Sequence, residues 1–309
     1  MTKKEPLLSI CIPTYNREKY LKRLLDSIVC QKEFTDTDDV EIVVDDGPST
    51  DNTETMVKDY IKKYWNKIKY YRNPVRIWMC PAFLEALDYW TWKYLWLMGS
   101  DDSIFSKSLE IFFNSIKNNP KVVLCKRYSL NDGQTELKYS MNSILSFKFF
   151  IDFLKKEKSR QDIDVFFTFI SVWCLERCYY KNALELLIRE FWENILKQHY
   201  FNFSFIWFSN VKESDRINII DKPRLIQVNS FDVGWKPNMK IWNDLKLEMK
   251  YLMKKYSLNY GQCKILKNIY RPWRLMCILY PIRQCLGKIG LLWIYDELSK
   301  IYRKLRGYL

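Results

Sequence analysis

Residues 94–105 read YLWLMGSDDSIF. Five apolar side chains, Tyr94 to Met98, run directly into Gly-Ser-Asp-Asp. An apolar run of this length, stopped by a turn signal, reads as a buried strand. It ends on two adjacent carboxylates, Asp101 and Asp102, which repel each other and are penalised by apolar surroundings. The pair therefore either caps a helix in water, through Asp102 or Ser103, or faces something positive.

A second stretch, EIVVDDGPSTD (41–51), repeats the arrangement with Asp45 and Asp46. Each pair alone fits helix capping. Two pairs on two strand ends, about one βαβα unit apart, are hard to obtain by capping, whereas a nucleotide held with a metal ion explains both, because a nearby cation keeps carboxylates ionised.

The chain around these stretches alternates. LLSICIP (7–13) reads as a strand closed by Pro13, and REKYLKRLLDSIVCQ as a helix with Leu21, Leu24, Leu25 and Ile28 on one face. STDNTETMVKDYIKKYW reads as a helix started by Ser49 or Thr50. KIKYYRN is a third strand, residues 79–91 are helical, and SKSLEIFFNSIKNNP is a helix capped by Ser106. KVVLCKR is a fifth strand. Strand and helix in alternation predict an α/β domain with a mostly parallel sheet. In such sheets ligands gather beyond the carboxyl ends of the strands, where both acidic pairs lie.

Past residue 127 the pattern loosens. SLNDGQTEL predicts a hairpin turn, SILSFKFFIDFLKKEK a helix, and DVFFTFISVWCLE a buried strand. ENILKQHYFNFSFIWFSN predicts a buried helix, and RINIIDKPRLIQVN a strand pair broken at Pro223. Helix dominates from 238 onward, with breaks at Pro272 and Pro281. These readings divide the chain into 1–126, 127–235 and 236–309.

Composition narrows the chemistry. Of 309 residues 48% are hydrophobic, enough for a sizeable core. The net charge of +14 is concentrated: residues 236–309 hold 16 Lys and Arg against 4 Asp and Glu. Such asymmetry suggests an anionic partner for that region. Within it, KIGLLWIYDELSKIYRKLRGYL places Leu291, Ile294, Leu298, Ile301 and Leu305 on one helical face, with Lys300, Arg303, Lys304 and Arg306 opposite. A basic amphipathic helix with aromatic neighbours fits an anionic membrane surface, and equally a helix packed on the body.

No apolar run reaches the roughly 18–20 residues of a spanning helix. The first residues lack a signal-peptide pattern, so a cytoplasmic location is expected, peripheral at most on the inner membrane face. Nine scattered cysteines without a C-x-x-C pair read as free thiols. One histidine and no cysteine cluster argue against structural zinc. Eight dispersed glycines allow neither G-x-G-x-x-G nor G-x-x-x-x-G-K-[ST]. A bound diphosphate would need Mn²⁺ or Mg²⁺ on carboxylates instead.

LLSICIPTYNREKYLKRLLDSIVCQ, EIVVDDGPSTDNTETMV and LWLMGSDDSI, in that order and spacing, resemble family-two glycosyltransferases of the GT-A fold. The likeness is strongest over 7–118 and leans to the abequosyltransferase-like branch, which builds bacterial surface polysaccharides such as O-antigen, capsule or lipooligosaccharide. It implies a Rossmann-like, mostly parallel central sheet flanked by helices, here with a basic helical C-terminal extension. It also implies a nucleoside-diphosphate sugar donor and a saccharide acceptor; a lipid-linked acceptor would lie at the membrane surface that the basic tail fits.

By the same resemblance, Pro13 and Tyr15 would line the base and Asp46 would accept a hydrogen bond from it, with Asp45 and Asn73 beside it. Asp101 would face the ribose and phosphates. Asp102 would bind the metal. The sequence departs from the family pattern at Trp78 and Ala82, where a Gly and an Asn are usual, and it has no Glu-Asp-x-x-Leu segment to supply a general base. His199, the one imidazole, titrates near neutrality and is one candidate. Asp164, with Asp162 beside it, is another. A structural histidine and a solvated turn remain the alternatives.

Two rival functions are weighed against this. A nucleotidyltransferase would place a Gly-rich loop after the first strand, where PTYNREK has no glycine. A nucleic-acid-binding protein would leave both acidic pairs unexplained, since carboxylates repel phosphate. No nucleic-acid partner is therefore expected.

Overall fold

The computed structural model describes residues 7–74, 92–125, 127–129, 140–145, 173–183, 185–186, 189, 211–212, 215–222, 225–228 and 239–267. Chain contacts divide the molecule into two units, 1–232 and 233–309.

In the first unit, β1 (Leu8–Thr14) is flanked by β2 (Val40–Asp46) and β4 (Tyr94–Leu97), both parallel to it, and β3 (Ile68–Arg72) is parallel to β2. Leu8 to Ile12 and the whole of β2 are buried, as near-continuous apolar strands of a parallel sheet must be. Parallel neighbours need crossovers. The first is α1 (Glu18–Val29) with the single turn α2 (Lys32–Thr35), and the second is α3 (Thr53–Lys63). The predicted stripe of α1 is present: Leu21, Leu24, Leu25 and Ile28 are all fully buried, a contribution of roughly 2 kcal/mol each.

The sheet has eight strands in the order β3-β2-β1-β4-β9-β6-β10-β8, where β6 is Val122–Cys125, β8 is Ser140–Leu145, β9 is Trp173–Glu176 and β10 is Arg216–Lys222. β9 runs antiparallel to both β4 and β6, β10 is parallel to β6, and β8 closes the edge antiparallel to β10. A separate three-stranded sheet joins β5 (Asp102–Ile104), β11 (Ile226–Val228) and β7 (Arg127–Ser129) in the order β5-β11-β7. The α/β architecture with a mostly parallel central sheet is thus present.

One polar row crosses the buried sheet. Ser9 on β1 donates to Glu41 on β2, Lys69 on β3 lies 2.8 Å from the same carboxylate, and the Lys69 ammonium stands over the Trp92 ring. Burial pushes the Glu41 carboxyl up, against the pull of Lys69 and Ser9.

Several local expectations are corrected. The hairpin over SLNDGQTEL does not join its flanking strands: β7 and β8 lie in different sheets, as do β10 and β11 on either side of Pro223. Ser143 to Leu145 belong to β8, because they pair with Arg216 to Asn218, so the helix expected from Ser143 does not begin there. The helix α4 (Ser108–Ser115) is preceded by Lys107 in the left-handed region at φ 65°, not capped by Ser106. Neither Ser49 nor Thr50 caps α3, since both face the loop of β1 instead. The expected helix over 79–91, the breaks at Pro272 and Pro281 and the terminal amphipathic helix lie outside the described residues.

In the second unit α5 (Met239–Lys255) ends on Ser257 at φ 46°, with Leu258 N donating to Met253 O at 3.1 Å. That is a left-handed helix stop. The next helical stretch, 260–267, is opened by reciprocal bonds: Gln262 N to Asn259 Oδ1 at 2.9 Å and Asn259 N to Gln262 Oε1 at 3.2 Å, the capping-box arrangement. Lys246, Lys250 and Lys254, four residues apart on α5, are exposed, as is Leu247. Among the described residues no helix is long and apolar enough to cross a membrane.

Candidate functional site

The register that sets Pro13 beside Asp45 and Thr14 beside Asp46 brings the ends of β1 and β2 level. Successive residues of a strand face opposite sides of its sheet, so the two aspartates separate. Asp45 Oδ1 accepts from Asn73 Nδ2 at 2.9 Å. Asp46, on the other face, accepts from the hydroxyls of Ser49 and Tyr70, the latter at 2.6 Å. Burial pushes the Asp46 carboxyl up; the two hydroxyls and nearby Arg72 oppose that shift. Burial and the Asp46 carboxylate together push the Tyr70 phenol up.

Gly47 follows. A Cβ there would meet Tyr15 Cδ2 at 3.2 Å, so the Tyr15 ring lies against this glycine beside Asp46. Thr14 Oγ1 is buried at the same strand end and has no hydrogen-bond partner among the described residues.

The rest of both motifs stitches the loops together. Asn16, at φ 51°, donates its N–H to Ser49 Oγ at 2.8 Å and accepts from Thr50 N at 2.7 Å through its side chain. Asp51 bridges two helix starts: Oδ2 accepts from Glu18 N at 3.1 Å, and Oδ1 accepts from Thr53 N at 3.1 Å and from its hydroxyl at 2.6 Å. Arg72 donates to Ser49 O at 2.8 Å and pairs with Glu54.

Strand β4 delivers the other acidic pair. Trp96 stacks on Phe112 of α4 at 5.3 Å and Tyr94 meets the same ring edge-on at 6.2 Å, which fixes the strand against that helix. Asp102 N donates to Gly99 O at 3.0 Å, closing a tight turn. A Cβ on Gly99 would lie 3.0 Å from Asp101 Oδ1 and 3.1 Å from Asp102 Oδ2. The two carboxylates thus converge over a residue that only glycine leaves clear.

Capping does not explain them. Asp102 and Ser103 begin β5, which pairs with Val228 and Gln227 of β11. Helix α1 and the turn after it hold β5 and the start of α4: Ser27 Oγ accepts from Ile104 N at 3.1 Å and Gln31 Oε1, at the start of α2, accepts from Leu109 N at 2.9 Å.

Residues 9–176 match the glycosyl transferase family 2 model. The chain belongs to that family. Over 121 residues it is 39% identical to an abequosyltransferase of Salmonella typhimurium, a match covering 39% of this chain and 36% of that protein. Over 68 residues it is 38% identical to the GalNAc(5)-diNAcBac-PP-undecaprenol beta-1,3-glucosyltransferase of Campylobacter jejuni, covering 22% of this chain and 20% of that one. The matched stretches thus span about a third of these relatives' length or less. The fold is shared with Staphylococcus aureus TarS 1–349, crystallised with UDP-GlcNAc, at a TM-score of 0.60 and 18% identity over 85% of this chain and 71% of TarS.

The fold brings together Pro13, Tyr15, Asp45, Asp46 and Asn73 at the adjoining strand ends, with Asp101 and Asp102 on the turn beyond β4. His199, Asp162 and Asp164 lie outside the described residues. Sequence reasoning passed over Gly99 and Tyr70. For Gly99 a signal existed: glycine directly before the acidic pair marks close approach. Tyr70 gave none, because its role depends on strand register.

Proposed function

We propose that the protein is a glycosyltransferase that moves a sugar from a nucleoside-diphosphate sugar to a saccharide acceptor. The convergence of Asp101 and Asp102 over Gly99, in a turn that caps no helix, carries this reading. Two anionic oxygens drawn to the same side of Gly99 suit a hard divalent cation, Mn²⁺ or Mg²⁺, whose remaining ligands a diphosphate would supply. Asp102 would hold it with Asp101 Oδ1 alongside, and the rest of the Asp101 carboxylate would face the ribose and phosphates. When bound, such an ion supplies Lewis-acid compensation for charge on the leaving diphosphate.

Tyr15, resting on Gly47, and Pro13 would line the base, and Asp46 would accept its hydrogen bond. Asp45 and Asn73, paired on the other face of β2, would position that strand end. The acceptor base is assigned to His199 or Asp164, with loss of acceptor-dependent turnover in one of the two alanine variants as its test.

The relatives support a lipid-linked saccharide acceptor in bacterial surface-polysaccharide synthesis, since one of them is named for abequosyl transfer and another for an undecaprenol-linked substrate. The basic residues of 236–309 would place the enzyme on the anionic inner face of the cytoplasmic membrane.

Purified protein incubated with single nucleotide sugars and Mn²⁺ should release nucleoside diphosphate from one of them, and chelation should stop it. Asp102→Asn with full activity would remove the metal assignment. No release from any donor would remove the transferase reading.

A further inference from the structure

Arg17, from the turn after β1, and Arg23, from the first turns of α1, both reach the acidic loop, and they do different things there. Arg23 Nη2 donates to the Asp101 main-chain carbonyl at 2.9 Å. That bond holds the loop whatever the side chain does. Arg17 Nη1 lies 3.1 Å from Asp101 Oδ2, on the carboxylate itself. The other oxygen of that carboxylate, Oδ1, is the one that converges with Asp102 over Gly99. Both guanidiniums also lean on one ring, 5.7 and 5.6 Å from the Tyr20 centroid, which keeps Arg17 beside the loop if its ion pair opens.

Arg17 is therefore a competitor. A divalent cation settling on Asp101 and Asp102 meets a carboxylate already neutralised, and a guanidinium a few ångströms away that repels it. Arg17 cannot simply withdraw into water without losing its charge-assisted bond. A diphosphate removes the conflict, because the planar fork of arginine bonds phosphate oxygens as readily as carboxylate.

We propose that Arg17 changes partner as the donor binds, leaving the Asp101 carboxylate to the cation and taking the donor diphosphate in exchange. This rests on the donor site proposed above. It makes cation and diphosphate binding interdependent beyond their direct bond to each other, as a coupling free energy between the two ligands. Arg17 is in this view a gate against binding of the cation by itself.

The test is binding, not turnover. Mn²⁺ affinity is measured by electron paramagnetic resonance with protein alone. The affinities of UDP, CDP, GDP and dTDP are measured by calorimetry with saturating Mn²⁺ and with EDTA. In Arg17→Gln, Mn²⁺ alone should bind about threefold more tightly, the scale of one partly exposed ion pair. The nucleoside diphosphate that binds the parent protein should bind about tenfold more weakly, the scale of a lost bond to a charged group.

Arg17→Lys keeps the charge but not the fork, and should fall between the parent and the Gln variant in its preference for joint binding. Unchanged Mn²⁺ and diphosphate affinities in Arg17→Gln overturn the exchange while leaving the donor site intact. So does a Lys variant that behaves as the Gln variant does. A parent protein that binds neither Mn²⁺ nor any of the four diphosphates overturns the donor site itself.

Discussion

Burial pushes the Asp46 carboxyl above its usual range, although Ser49, Tyr70 and Arg72 pull it down. A raised acid favours the folded state fully only below its unfolded value of about 3.9. That contribution is lost as pH rises through the folded value. Ionising Asp46 therefore costs the fold stability, a cost consistent with the donor-binding role proposed for it. Asp46→Asn should be at least as stable as the parent at pH 7 and lose stability less steeply as pH rises above the unfolded value in urea titrations. It should also fail to bind nucleoside diphosphate in calorimetry. Gly99 poses the opposite case. A methyl there enters the space between the two carboxylates, both within 3.1 Å of it. Gly99→Ala should lower kcat/KM about tenfold or more, the effect of sub-ångström misplacement of reacting groups, with a melting temperature close to the parent's.

Helix starts and loop lacing belong to the scale of elements. Asp51 serves α1 and α3 at once. Burial raises its carboxyl, but the Thr53 hydroxyl and the main-chain N–H groups of Glu18 and Thr53 more than compensate and hold it low. A lowered acid stabilises above its unfolded value, and that stabilisation disappears as pH falls through the folded one. Asp51→Ala should lose about 1–2 kcal/mol at pH 7 by urea unfolding, one cap shared by two helices. The difference from the parent should shrink as the solution is acidified. At this scale the sequence was legible where periodicity carried it: β1 to β4, α1 and α3 stand where apolar spacing put them. It was illegible where partners are remote. Ser49 looks like a helix cap in STDNTE, yet it sits between Asp46 and Asn16. Similarly, the acidic ends of β2 and β4 were visible as strand ends, but that Asp45 and Asp46 face opposite sides depends on register. The strands on either side of Asn131-Asp132-Gly133 and of Pro223 join different sheets, because pairing across the sheet is decided by residues far along the chain.

Charge sets the behaviour of the whole molecule. Residues 236–309 carry most of the net +14, and the described part of that unit exposes Lys246, Lys250 and Lys254 along one helix. Each basic residue at an anionic leaflet contributes roughly 1 kcal/mol. Full-length protein should sediment with vesicles containing anionic lipid and be released as salt rises. Deleting residues 288–309 should move it to the supernatant, and an unchanged distribution would dismiss the membrane role of that segment.

The position of β9 bears on how such a chain is made. Residues 173–176 form the strand that separates β4 from β6, and the family match ends at residue 176. On the ribosome, everything up to Cys125 emerges with a gap beside β4: the β4 edge is bare, and β6 has neither of its sheet neighbours, β9 and β10. At about 5–20 residues per second that gap stays open for seconds. Bare edges invite pairing with other chains, so a fragment cut after the acidic motifs is a poor minimal unit, and a nascent chain at that length is a natural client for chaperones.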